Sequence, residues 1–263
     1  MKAVILGLFC LWVITAQAAE CPRIISQSPY ITHSLQFLGL KRCIVGVSRY
    51  DDLDLPRTGG ILDPDKQTID GLMPDLIFTT NWISDEAMAK VTPKEARYFR
   101  LTGFNSLHEI EQNLRIIGRT TGDDNYDQKI ATYKTELDRL RKQIDGKGKK
   151  ALLLSSCSGS PYSFGKQTWL YDLFNQMNFK IVETHAKIRH IKAGQEITKI
   201  NNLLNTFEPD ILFIMERKLN SRCNLILPKV PVKIITLDGN HFLHPAPVLL
   251  EGLKELAGKQ SQW

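Results

Sequence analysis

Short apolar runs alternate with stretches of helical spacing along most of the chain. Residues 23–26, 44–48, 76–79 and 97–101 are brief, branched and bounded by Gly, Pro or Asp, and residues 151–155, 180–183, 211–215 and 232–237 repeat the type. They predict strands. Between them, residues 30–38, 169–177 and 247–256 carry apolar side chains three or four positions apart and predict helices, the first opening after Ser28-Pro29 and stopping at Gly39. Strands alternating with helices imply parallel sheets, because each crossover between parallel neighbours needs a covering helix. The pattern occurs twice.

The middle of the chain is helical. Ser106-Leu107-His108-Glu109 reads as a capping box, opening a helix to about residue 117 that Gly118 stops. A second helix is expected from about 123 to 144, where Asp145-Gly146-Lys147-Gly148 ends it. Its apolar positions, Ile130, Tyr133, Leu137, Leu140 and Ile144, form one stripe. At 1.5 Å per residue it spans roughly 30 Å, about the width of a small domain. A helix of that length between two α/β halves reads as a strut. A flexible linker would instead be rich in Gly, Ser or Pro.

Two phrases tie the halves together. "GLMPDLIFTT" occupies residues 71–80 and "TFEPDILFIM" residues 206–215. In each, Pro ends a helix, since it lacks an N–H and disfavours helical geometry in the residue before it. Asp suits the turn, and the branched run after it suits a buried parallel strand. Corresponding strands in two similarly built halves explain the repetition; coincidental helix-to-strand punctuation is the plainer alternative.

Charge and cysteines refine this picture. Lys2, the uncharged apolar residues 3–14 and the small-x-small Ala16-Gln17-Ala18 read as a secretory signal peptide, residues 1–18. Glu20 before Cys21 disfavours a lipid-modified cysteine. The rest carries 33 Lys plus Arg against 28 Asp plus Glu, with four cysteines. The positive balance is scattered, so no nucleic-acid partner is expected. In an oxidising compartment Cys21, Cys43, Cys157 and Cys223 allow two disulfides. Cys21 and Cys43 flank neighbouring strands and make one reasonable bridge, while Cys157 with Cys223 is a pairing by elimination. Free buried thiols are the alternative for each.

Four blocks carry a resemblance: "RIISQSPYITHSLQFLGLKRCIVGVSRYDD", "GGILDPDKQTIDGLMPDLIFTTNW", "SPYSFGKQTWLYDLFNQMNFKIV" and "EITKINNLLNTFEPDILFIM". In this order the chain resembles the periplasmic substrate-binding proteins that serve ABC importers of iron–siderophore complexes, haem and vitamin B12. The resemblance implies an α/β fold of two Rossmann-like lobes with parallel-rich sheets, connected by a single rigid backbone helix. Residues 19–121 and 147–263 would be the lobes and 122–146 the connecting helix. The ligand would lie between the lobes at the carboxyl ends of the strands, where open α/β sheets also bind ligands. Residues following strands there include Tyr30, Arg49, Tyr50, Trp82, Tyr162, Phe164, Arg217, His241, Phe242 and His244. Such a wall suits a large, flat or amphipathic ligand, with rings stacking and arginine pairing carboxylates. Each has a blander role: Trp82 as sheet-edge cover, Tyr30 as a packed first-turn residue, Arg217 as a solvated charge. Arg49 and Tyr50 are adjacent, so in an extended chain one of them faces away.

His241 and His244 sit with Asp238 in "DGNHFLH", but no HExxH or Cys-x-x-Cys accompanies them. Hydrogen bonding or stacking is favoured over metal coordination, and no protein metal site or required cofactor is expected. The family's importer-docking glutamates lie seven residues before the Pro of each Pro-Asp phrase. Here those positions are Gln67 and Asn202, so both charges are missing unless Asp65, Asp70, Glu196 or Glu208 substitutes.

The leading expectation is a monomeric periplasmic carrier that captures a corrinoid, haem or ferric siderophore and delivers it to an ABC permease. The alternative is a periplasmic ligand chaperone or sensor that does not dock on a standard importer. An exported hydrolase is disfavoured: "SSCSGSPYSFG" has nucleophile types but no G-x-S-x-G elbow, and no GxxxxGK[ST] occurs.

Overall fold

The structure, a computed structural model, describes residues 21–155, 161–191, 196–217 and 231–263. The predicted signal peptide, Cys157 and Cys223 lie outside the described residues. The first half runs β1 (Ile24–Ser26), α1 (Pro29–Phe37), β2 (Ile44–Val47), α2 (Lys66–Leu72), β3 (Leu76–Thr80), α3 (Asp85–Val91) and β4 (Arg97–Leu101). Its four strands are parallel in the order β2-β1-β3-β4. Two long helices follow, α4 (Leu107–Thr121) and α5 (Tyr126–Lys142).

The second half runs β5 (Lys150–Ser155), β6 (Tyr162–Phe164), α6 (Trp169–Gln176), β7 (Lys180–Ile181), β8 (Ile188–His190), α7 (Glu196–Phe207), β9 (Ile211–Glu216), β10 (Lys233–Asp238), α8 (Gly239–Phe242) and α9 (Leu249–Gly258). β7, β5, β9 and β10 pair in parallel in that order, repeating the plan of the first sheet. An addition breaks the symmetry: β6 pairs antiparallel with the end of β5, and β8 antiparallel with β6. The expectation of alternating parallel strands missed this pair, because β6 and β8 are short and carry Tyr, Ser, Arg and His in place of a branched apolar run.

The repeated phrase is the same device in both halves. Met73 and Glu208, each just before the proline, take left-handed backbone at φ 44° and 43°. Asp75 Oδ2 then accepts the Arg23 N–H at 2.7 Å, and Asp210 Oδ2 accepts the Lys150 N–H at 2.8 Å. In each half this carboxylate holds the entry of the central strand, β1 or β5.

Alternation along the strands explains the layers. Ile24, Leu76 and Phe78 join Ala151, Leu153 and Phe213 in one core shared with α4 and α5. The opposite faces are covered separately, Ile25 and Ile77 with Ile69 and Met88, and Leu152, Leu154, Leu212 and Ile214 with Ile200 and Leu204. Strands buried on both faces read as continuous apolar runs for this reason. All five predicted stripe residues are buried, the last, Ile144, just beyond the end of α5. The helix has 17 residues, so it spans roughly 25 Å, somewhat shorter than expected. It packs on α4 and α9, and Tyr133 meets Phe37 of α1 at 5.9 Å.

Gly118 does not stop α4. The helix continues to Gly122, which caps it at φ 71°. Gly118 is there because Tyr126 of α5 lies over it: an added Cβ would stand 2.3 Å from Tyr126 Cβ. The capping box also takes another form. Glu109 accepts the amide and side-chain N–H of Asn105 at 3.0 and 2.8 Å, and the Ser106 side chain makes no cap bond. Cys21 and Cys43 are joined by a disulfide that ties the entry of β1 to that of β2. Among the described residues no helix is long and apolar enough to cross a membrane.

Candidate functional site

Parallel order within each sheet sends the turns after the strands to one end. Segments from both halves meet there at a seam. Phe104, three residues past β4, is its central ring. It lies 4.7 Å from Trp82, 5.1 Å from Tyr30 and 5.3 Å from Trp169 of the second half. Rings continue from Trp169 to Phe164 at 5.4 Å, on to Tyr162 at 5.3 Å and to His190 at 5.7 Å. The Trp169 indole N–H donates to the Phe242 carbonyl at 3.0 Å, which fixes its plane. The rings thus meet mostly edge to face across the two halves, and Tyr30, Phe164 and Trp169 are themselves fully enclosed.

Polar groups form the other part of the seam. His33 Nε2 of α1 is 3.1 Å from His244 Nδ1, which follows α8. Arg217, at the end of β9, donates from Nε to Asn240 Oδ1 at 3.0 Å, and its Nη2 stands 3.9 Å from the Asp52 carboxylate. That Nη2 is buried and has no hydrogen-bond partner. Asp51 is also buried; its carboxylate accepts from the Thr32 hydroxyl and the Leu53 N–H. His241 Nδ1 is buried 4.0 Å from Glu255.

Burial sets the protonation of this cluster. It pushes His244 down to about 3, with the charges of His33 and Arg217 adding to the effect. His33 is lowered by burial too, with His241 and Arg217 adding while Asp51 and Asp52 oppose. Both rings are therefore neutral near pH 7. Burial raises the Tyr30 phenol far above its ordinary value, with Glu109 adding, and its hydroxyl donates to the Leu101 and Thr102 carbonyls.

Of the residues expected at the site, Trp82, Tyr30, Tyr162, Phe164, Arg217 and His244 come together along the seam. Trp82 is half exposed there, at 54%; Tyr50 is half exposed too, at 53%, but among the described residues has no ring contact with the seam. Arg217 is buried, contrary to a solvated charge. Tyr30, Phe164 and Phe242 are corrected: their rings are fully enclosed, Phe242 against Gly252 and Phe174, so they support the seam and present no face to a ligand. Arg49 turns to Asp63, with Nη2 2.5 Å from Oδ2. Phe104, Trp169, His33 and Asp52 were missed. The rule that found Trp82 also reaches Phe104, since each follows a strand, and His33 lies one helical turn beyond Tyr30.

Gln67 and Asn202 are both exposed, on α2 and α7. Asn202 lines a cavity of 530 Å³ with Arg189, Lys199, Leu203 and Phe207. Among the described residues no three His, Cys, Asp or Glu side chains are arranged to hold a metal ion.

A family model described as Periplasmic binding protein matches residues 24–225. The chain belongs to the periplasmic binding protein family. Solved structures carry the same fold. A periplasmic haem-binding protein, RhuT from Roseiflexus sp. RS-1 in apo form, superposes with a TM-score of 0.75 at 17% identity, over 90% of this chain and 97% of that one. A periplasmic haem-binding protein from Pseudomonas aeruginosa gives 0.73 at 18%, over 92% and 93%. The periplasmic vitamin B12-binding protein BtuF of Vibrio cholerae gives 0.68 at 16%, over 92% and 97%. No curated protein sequence matches the chain. At such identities the likeness carries the fold, and this periplasmic binding protein's ligand must be argued from its own seam.

Proposed function

We propose that this periplasmic binding protein captures a metal chelate or large cofactor-like ligand, a ferric siderophore, haem or corrinoid, and delivers it to an ABC importer without altering a bond in it. Residues 1–18 are the export signal, 19–121 and 147–263 the two lobes, and 122–146 the spine between them. The observation that carries the reading is the set of accessible rings Trp82, Phe104 and Tyr162, linked across the two halves through the enclosed Trp169 and Phe164, beside a buried arginine whose Nη2 has no hydrogen-bond partner. Flat or amphipathic ligands are held by stacking on such faces, and a desolvated guanidinium recognises an anionic oxygen. The binders of haem and vitamin B12 among the solved structures support the same ligand class. Gln67 and Asn202 stand where the importer would be met, so docking there relies on neutral hydrogen bonds in place of ion pairs.

The test is purification from the native periplasm, with an absorption spectrum and mass spectrometry of released ligand. A Soret band, a corrinoid spectrum or a catecholate–iron band is the expected result. A colourless preparation that ignores haemin, cyanocobalamin and ferric catecholates in titration overturns the reading.

A further inference from the structure

Two imidazoles from opposite halves touch across the seam. His33 of α1 and His244, which follows α8, lie 211 positions apart in the chain, and His33 Nε2 stands 3.1 Å from His244 Nδ1. The next residue, Pro245, reaches the first half as well: a Cβ at Gly103 would lie 3.6 Å from its Cγ. The stretch after α8 therefore helps close the seam. A second polar contact between the halves, Arg217 with Asp52 at 3.9 Å, accompanies the imidazole pair.

A hydrogen bond between two imidazoles needs a proton on one facing nitrogen and a lone pair on the other. Two neutral rings meet that need, and one added proton can still be shared. A second cannot. Every ring nitrogen then carries hydrogen, and the two facing N–H groups point at each other. The surroundings do not compensate. Arg217, whose buried Nη2 lacks a hydrogen-bond partner, places a positive charge near both rings. His241 of α8, itself 4.0 Å from Glu255, also acts on His33. The opposing acids are Asp51 and Asp52. Asp51 already accepts from Thr32 and Leu53, and the Asp52 side chain is 71% exposed, so water weakens its pull.

We propose that the His33–His244 contact is a proton-released latch: formed at neutral pH, it opens in acid when both rings take a proton from solvent, and water enters the seam while α5 keeps the halves joined. Linkage fixes the direction. In the open state both imidazoles are solvated and titrate near about 6.5. In the closed state burial holds His33 below that value and His244 down at about 3. Closure is thus fully favoured above about pH 6.5 and weakens by up to about tenfold for each unit of pH below it, until the closed state itself takes up protons. At pH 5 His244 alone shifts the ratio of closed to open by about 30-fold, and His33 adds to this.

The test uses ligand-free protein labelled with 5-fluorotryptophan. Trp169 reports on the latch because its indole N–H donates to the carbonyl of Phe242, just ahead of His244. Its fluorine signal is assigned with Trp169→Phe. Between about pH 7.5 and about pH 4.5 the signal is expected to move to a solvated position, with far-ultraviolet circular dichroism unchanged. His33→Gln and His244→Gln replace each ring with an amide that hydrogen-bonds but does not titrate. Each should lose most of the movement, and the double variant all of it. A Trp169 signal that stays still over this range overturns the proposal, as does equal movement in the double variant, which would assign the transition to Asp51 or Asp52. Ring titration of the two histidines in the wild type by NMR decides the matter even if a variant fails to fold. Protonation of both rings together with the Trp169 movement supports the latch; protonation of both with Trp169 unmoved overturns it. No ligand enters the measurement, so its failure leaves the proposed function standing.

Discussion

Glu183 is wholly enclosed, yet its carboxylate accepts four hydrogen bonds: from Ser163 Oγ, the His185 N–H, and both Nε and Nη2 of Arg189. It joins β6 and β8, the two strands absent from the first half. Burial alone would raise its pKa, but Arg189, Ser163 and the His185 amide together hold it below the usual carboxylate range. A carboxyl lowered by folding adds stability above its unfolded pKa of about 4.3, and that stability is lost as pH falls through the folded value. Glu183→Gln should therefore cost about 2 kcal/mol in urea denaturation at pH 7, discounted because Arg189 is partly exposed. The gap should narrow as the wild type is taken below pH 4. Equal stability at pH 7 would refute this account.

At the scale of elements, close contacts override local preference. Gly118 looked like a stop because glycine is a poor helix former, and alanine there gains about 1 kcal/mol of propensity. Its neighbour reverses the sign. Tyr126 occupies the space of a Cβ, so Gly118→Ala must push α5 away from α4. A net loss of about 2 kcal/mol is expected, read from the thermal or urea midpoint. A variant as stable as wild type would mean that the two helices slide apart freely. The same limit hid β6 and β8. Both are three-residue strands whose partners lie elsewhere in the sequence, and no local pattern announces them.

For the whole molecule, the question is how far the halves can separate. α5 packs against α9 of the second half and meets α1 of the first through Tyr133 and Phe37. Across the seam, Phe104 touches Trp169, and Asp172 accepts the Leu107 N–H at 3.2 Å. Contacts of α5 with both halves, together with those across the seam, lead us to predict little hinge motion. Small-angle scattering should give the same radius of gyration, within error, for free and ligand-saturated protein. A clear fall on ligand addition would show wide closure and contradict the strut.

Much of the fold is legible in the sequence. The eight strand positions other than β6 and β8, the apolar stripe of α5 and the two Pro-Asp phrases followed from spacing and from proline's missing N–H, properties that act within a few residues. Trp82 and Arg217 were reachable from their places after strands. The partners of those residues were not. His33 and His244 lie 211 positions apart, and Phe104 meets Trp169 only because two sheets pack about the same pair of helices. Local pattern records which face is apolar and where the chain must turn. Which side chains then stand 3 to 5 Å from one another depends on how separate layers settle together, because packing joins groups that no short stretch of sequence contains.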